Sequence, residues 1–199
     1  MKLLNTHFHG MMETISNFFL LNLLWILFSL PIITVFPATS AMFAILKDWK
    51  EDKHIPILSS FLSYFKKYFT QSFLTGLLFF GGFCLLYLDY LFIQELSTFM
   101  RIIVFSTILL ISIVILFTGI YFFPVMVQHK LPFKKTIKLS FMYSIMYFPI
   151  TILLVLLLIS TALIVYLIPV LSIIAFSVAA YIVYILCHRC FLKARSIVN

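Results

Sequence analysis

Two groups of residues in this chain have types and spacings that chemistry uses. Asp89 is an acid inside a long apolar run, with Glu95 and Arg101 close by in sequence. An acid at mid-membrane costs about 2.5–3.5 kcal/mol on insertion scales, whereas one near the interface costs less and pairs with a neighbouring cation. Asp89 lies a few residues from the end of its run, so a structural ion pair with Arg101 is the simpler reading and a substrate or proton site the sharper one. Cys187-His188-Arg189-Cys190 has the spacing of a metal or redox pair. A structural zinc needs about four ligands, and the nearest candidates, His7 and His9, fall on the opposite membrane face in the topology derived below. A thioredoxin-type use needs a βαβ context, and cytoplasmic thiols stay reduced. No metal and no cofactor is expected. The chain has no phosphate-binding glycine loop, nucleophile elbow or HExxH motif, nor the paired carboxylates or Ser/His set an intramembrane enzyme requires. An enzyme is not expected.

The elements that would hold such residues follow from composition. Hydrophobic residues make up 64% of the 199 and charged residues 10%, with a mean hydropathy of +1.18. Soluble domains carry roughly 45–50% apolar and about 25% charged residues, so this is an integral membrane protein with a single domain over 1–199. A spanning helix needs about 20 apolar residues. Uncharged runs from Thr14 to Leu46, Tyr68 to Leu88 and Ile102 to Gln128 each hold one span. The run from Leu139 to Cys187 would measure about 74 Å as one helix, so it must fold back, with Ser160, Thr161 and Ala162, then Pro169, marking the turn. The pattern predicts an all-α integral membrane helical bundle with about five transmembrane helices, near 16–36, 71–92, 101–123, 141–160 and 168–188. A barrel would alternate apolar and polar residues, and these runs do not.

Charge orients the bundle. Lys and Arg stay on the cytoplasmic side of short loops, and five spans place every basic residue except Lys2 and Arg101 on one side. This predicts a multi-pass protein of the bacterial cell (inner) membrane with its amino terminus outside and its carboxyl terminus cytoplasmic. The +8 net charge then reports topology and attraction to anionic lipid heads rather than nucleic-acid binding.

The stretch LPIITVFPATSA, residues 30–41, complicates the first span. Pro31 and Pro37 each remove a backbone donor and disfavour helix in the preceding residue, while Thr34, Thr39 and Ser40 can satisfy the freed carbonyls. One reading is a kinked span end. The other is a hairpin at 31–37 with a short helix, Ala38 to Trp49, returning through part of the membrane and moving the amino terminus inside. Interrupted membrane helices line cavities or pack within protein, which makes Pro31, Thr34, Pro37 and Thr39 candidate functional or packing positions beside Asp89 and Arg101. Signal cleavage after the small residues Ala38 and Ser40 is disfavoured, because the apolar core exceeds 7–15 residues and lacks a basic leader.

Two basic stretches have helical amphipathicity. Phe61, Tyr64, Phe65, Tyr68 and Phe69 recur at three- and four-residue spacing around Lys66 and Lys67, with Ser59 or Ser60 as N-cap, which predicts an interfacial cytoplasmic helix before span two. In HKLPFKKTIKLSF, Pro132 suits a first helical turn and Lys134, Lys135 and Lys138 precede span four. These lysines are candidates for docking a partner or lipid. Each stretch follows a Phe-Pro pair, Phe36-Pro37 or Phe123-Pro124, as a weak parallel repeat would produce. The abundant aromatics read as lipid-facing Phe and interfacial Tyr and Trp, with Trp49 between Lys47 and Lys50 in the belt.

LNLLWILFSLPIITVFPATSAMFAILKD, FLSYFKKYFTQSF, LYLDYLF and YFFPVMVQHKLPFKKTIKLS, in that order, resemble the bacterial YesL family over nearly the whole chain. The Leu-Pro…Thr…Pro-Ala-Thr-x-Ala segment is the most specific part; Phe36 stands where the family commonly has Gly. The resemblance implies a multi-span inner-membrane protein encoded beside sugar ABC importers and sensor kinases, and it supplies no catalytic residues. The expected function is therefore non-enzymatic, accessory or regulatory to carbohydrate uptake or sensing; the alternative is a small membrane transporter or channel subunit.

Overall fold

The structure, a computed structural model, describes residues 2–51, 53, 55–92 and 97–198, with side chains described for residues 12–196 of these except 89 and 92. Its helices are α1 (Lys2–Ser29), α2 (Val35–Lys50), α3 (Ile57–Phe92), α4 (Thr98–His129), α5 (Phe133–Met146), α6 (Phe148–Leu167) and α7 (Ser172–Val198), with 3-10 turns at Ile32–Thr34 and Pro169–Leu171. The protein is an all-α bundle, as composition required. Among the described residues, six segments are long and apolar enough to cross a membrane: Met12–Ser29, Ile32–Lys50, Ile57–Leu88, Thr98–His129, Phe148–Leu167 and Pro169–Ser196.

The sixth segment arises because the first expected span, 16–36, divides at Pro31. The chain does not kink there; it reverses. Pro31 is extended (φ −74°, ψ 115°), and Thr34 closes the turn, its amide donating to the Pro31 carbonyl at 2.8 Å. The Thr34 hydroxyl lies 2.7 Å from both the Phe28 and Pro31 carbonyls, two of the acceptors the break leaves free. Pro37 then falls in the first turn of α2, where its missing donor costs nothing. Helix α2 runs back along α1, so that Trp25 meets Thr39 and Phe18 meets Trp49, with ring centroids 5.2 Å apart. The hairpin reading holds over the kinked span end. It carries α1 residues near Phe18 to the same end as Lys47 and Lys50, the reverse of what a continuous first span implied for the amino terminus.

At 16 residues, α2 is about 24 Å long, and the turn before it completes the Ile32–Lys50 segment. More than half of the Ile32–Lys50 segment is buried inside the protein. Ala38, Ala41 and Ala44 share its buried surface with Met42, Phe43, Ile45 and Leu46, and such small residues let neighbouring helices approach closely. Helix α3 packs antiparallel to α2, with Tyr64 at Asp48 and Ser72 at Ser40. Helix α4 lies against α2 with Phe43 and Phe123 stacked at 6.1 Å. Phe36 and Phe123 also meet, at 6.0 Å, which brings the two Phe-Pro pairs together.

Three further boundaries differ from expectation. No break separates an interfacial helix from span two: α3 is continuous over 36 residues and starts at Ile57, so Ser59 and Ser60 lie inside its first turn. The expected turn at Ser160–Ala162 is helical, because the Ser160 and Thr161 hydroxyls donate back to the Leu157 carbonyl at 2.8 Å and leave the helix intact. The chain turns only at Ile168-Pro169. The span expected at 141–160 is instead α5 and α6 with a one-residue break at Tyr147 (φ −112°, ψ 44°), set by Pro149, which lacks the donor that would continue α5.

Candidate functional site

Several of the buried polar residues, Ser40 and Asp48 on α2 and Ser72 on α3 among them, gather around α2. Asp48, near its end, is 6% exposed. It accepts a short hydrogen bond from the Tyr64 hydroxyl and one from Lys53 Nζ at 3.4 Å. Lys53 also holds Glu51 at 2.5 Å, and Lys47 reaches Glu51 at 3.7 Å and the Val127 carbonyl at 3.3 Å. A buried charge persists only when paired and hydrogen-bonded, and this cluster meets that condition for Asp48. The Lys53 ammonium, hydrogen-bonded to Glu51, holds that carboxyl below its ordinary range.

Hydroxyls and amides continue the seam. Thr39 donates to the Val35 carbonyl at 2.7 Å and accepts from Trp25 Nε1 at 3.1 Å. Ser40 and Ser72 share a short hydrogen bond between α2 and α3. Gln71 Nε2 donates to the Leu131 carbonyl and to Thr136 Oγ1, both at 3.2 Å, fastening α3 to the start of α5. Tyr184 donates to Gln128 at 2.8 Å, joining α7 to α4. Asn22, fully buried, donates to the Ser172 carbonyl at 2.7 Å and accepts from the Ser177 amide at 3.0 Å, tying α1 to α7. These groups are occupied by one another, as buried polar groups in an apolar surround must be.

Of the sequence-predicted positions, Pro31 and Thr34 form the reversal, and Pro37 and Thr39 lie in α2 against the core. Pro37 is buried, Thr34 and Thr39 are half-buried, and Pro31 is exposed at the turn. Arg101 is exposed in the first turn of α4; the side chain of Asp89 and the residue Glu95 lie outside the described residues, as do the side chains of His7 and His9. Lys66 and Lys67 on α3 and Lys134, Lys135 and Lys138 on α5 are all exposed. The Gln71 bridge brings these two basic stretches to the same end of the bundle, and Lys67 Nζ sits over the Tyr68 ring at 5.5 Å. Cys187 and Cys190 are free thiols turned into the interior. The aromatics are less lipid-facing than expected: Phe61, Tyr121 and Tyr184 are fully buried, and Trp49 packs on Phe18.

Sequence reading passed over Asn22 and Asp48. An Asn deep in the run without charge from Thr14 to Leu46, past Asn17 near its start, was the available signal for the first. The second was hidden by its neighbours, since Asp48 between Lys47 and Lys50 reads as part of a solvated loop.

Residue 36 has a structural answer at Gly76. The Phe36 ring lies directly on that glycine, where a Cβ would stand 2.8 Å from Phe36 Cδ2. Close approach of α2 to α3 is preserved, with the small residue on the other helix.

A multi-helix membrane protein whose central helix, α2, is buried among its neighbours is the class these features define. A family model described as "Protein of unknown function, DUF624" matches residues 18–90. The chain is 33% identical over 125 residues to the uncharacterised protein YesL of Bacillus subtilis (strain 168), covering 61% of this chain and 58% of that one. It is 30% identical over 138 residues to YesV of the same organism, covering 67% and 66%, and 29% identical over 143 residues to YteU, covering 70% and 64%. The chain belongs to this YesL-like DUF624 family. Its aligned part spans about three fifths of the length of these relatives. No solved structure matches it.

Proposed function

We propose that the protein is a non-enzymatic membrane component, accessory or regulatory to carbohydrate uptake or sensing, that docks a partner on its basic end. The observation that carries this reading is the gathering of exposed Lys66, Lys67, Lys134, Lys135 and Lys138 on two helices fastened together through Gln71. Gln71, Thr136 and Ser140 beside them are hydrogen-bonded within the protein, so the lysines are what these two helices offer to an acidic protein surface or to anionic lipid heads. The positive-inside rule makes the basic end cytoplasmic, and the hairpin then puts both termini on that side of the cell membrane. The family resemblance supports a sugar ABC importer or a sensor kinase as the partner.

Charge reversal at Lys66, Lys67, Lys134 and Lys135 tests the reading. Crosslinking in native membranes should capture a specific protein with the wild-type chain and lose it with the reversed one, at equal expression. Equal capture by both would overturn it. The interruption at Pro31 favours a second reading, a small transporter or channel subunit, because interrupted helices recur at membrane solute sites; solute flux in proteoliposomes would reveal it.

A further inference from the structure

A cleft of about 760 Å³ opens at the basic end, between α1, the chain that follows α2, and α7. Its size is that of a small-molecule site, roughly 300–1,000 Å³. Glu13 and Asn17 line it from α1, Lys53 from the connecting chain, and Phe18, Trp49 and Tyr181 form an aromatic wall. The Trp49 and Tyr181 rings stand at 75° and 70° to Phe18, with centroids 5.2 and 5.4 Å away. Phe18 thus meets both rings edge to face, and all three are only half-buried.

The charges in and beside the cleft are of two kinds. Lys53 is held by Glu51 at 2.5 Å and Asp48 at 3.4 Å, and Lys47 by Glu51 at 3.7 Å, so these four balance one another. Glu13 is exposed and forms no ion pair among the described residues. Among the described lining residues, Glu13 is the carboxylate outside that cluster, and it stands beside crossed aromatic rings. That is the arrangement that recognises an organic cation, through the ring quadrupoles and a charge-assisted contact. We infer that this cleft binds an organic ammonium group, carried by a lipid headgroup or by a free amine. The cleft is separate from the lysine face, and the inference does not depend on the docking reading.

The full chain in dodecyl maltoside provides the test. Trp49 is one of two tryptophans, so intrinsic fluorescence reads the cleft, and equilibrium dialysis of labelled choline reads binding without it. Choline and dihexanoylphosphatidylcholine are the ammonium probes; dihexanoylphosphatidylglycerol is the control without an amine. The expected result is a saturable response to one or both ammonium probes and none to the control. A response to the phospholipid alone assigns a lipid source, one to choline alone a free amine, and one to both the ammonium group whatever carries it. Glu13→Gln, at an exposed position that leaves packing intact, should weaken binding about tenfold or more. No saturable binding of either ammonium probe, an equal response to the phosphatidylglycerol, or undiminished binding by Glu13→Gln would overturn the inference.

Discussion

Replacing Asn22 tests whether α1 is locked to α7 by hydrogen bonds rather than by apolar fit. Its amide donates to the Ser172 carbonyl and accepts from the Ser177 amide, while the Ser177 hydroxyl lies 3.0 Å from the Phe18 carbonyl, one turn earlier on α1. Asn22→Ala removes two bonds and leaves both α7 groups buried without their partner. At about 0.5–1.5 kcal/mol per bond, or about 0.6 on the scale measured within membranes, the loss is about 1–3 kcal/mol. Asn22→Leu restores the side-chain volume but not the bonds, so it should stay destabilised. Once ionised at high pH, Asn22→Asp sets a carboxylate against the Ser172 carbonyl, two acceptors facing each other. It should be the worst of the three and recover on acidification, because the protonated acid can donate again. Steric trapping or thermal unfolding in detergent reads all three. Wild-type stability in Asn22→Leu, or an Asn22→Asp variant indifferent to pH, would refute the reasoning.

Two further predictions rest on the α2 hairpin. Gly76→Ala would put a Cβ 2.8 Å from Phe36 Cδ2 and 3.2 Å from Phe36 Cγ, near the root of the ring, where the side chain has little room to swing away. It should cost about 1–3 kcal/mol, with most of that cost absent in a Phe36→Ala background; additive losses in the double-mutant cycle would show that the two do not touch. A tag at the amino terminus should resist an impermeant reagent in intact cells and react after lysis, and labelling before lysis would exclude a hairpin that puts both termini inside.

Much of this fold was legible as charge-free runs, since spans are dictated by lipid rather than by partners. The boundaries were not, and each miss has a local cause. Ser160 and Thr161 looked like a turn, but in an apolar medium their hydroxyls find the carbonyl one turn back and stay helical. Pro31 was visible as a break, yet a break alone does not distinguish a kink from a reversal. What distinguishes them is whether the next sixteen residues can be buried on several sides, and that depends on Ala38, Ala41 and Ala44 meeting α1, α3, α4 and α7. The lysines at 66–67 and 134–138 were readable as docking candidates, whereas Gln71, the residue that brings them together, carried no signal of its own. The cleft was illegible for the same reason: Glu13, Trp49 and Tyr181 lie on three elements far apart in sequence, and nothing in the spacing of any one of them points to the others.

The placement of polar groups decides where activity of any kind can reside. From Leu77 to Leu91 on α3 and from Phe99 to Leu116 on α4, large apolar side chains are exposed, as a lipid-facing surface requires. The two helices touch through close contacts such as Phe79 on Gly119, where an added Cβ would stand 2.8 Å from the ring. The opposite half holds α2, the Asp48–Tyr64 pair, Asn22 and the hydroxyl seam, which make a rigid base from groups that would be costly left alone in lipid. Because that seam is satisfied internally, it gives the base shape but little that a ligand could bind. Charged groups exposed at its rim include the lysines of α3 and α5 on one side and Glu13 with its aromatic wall on the other. Direct contacts such as Phe28 on Phe61 and Phe65, and Tyr143 on Phe191, join the helices that carry the two surfaces, with α2 packed among them, so occupancy of one can be sensed at the other through the shared core.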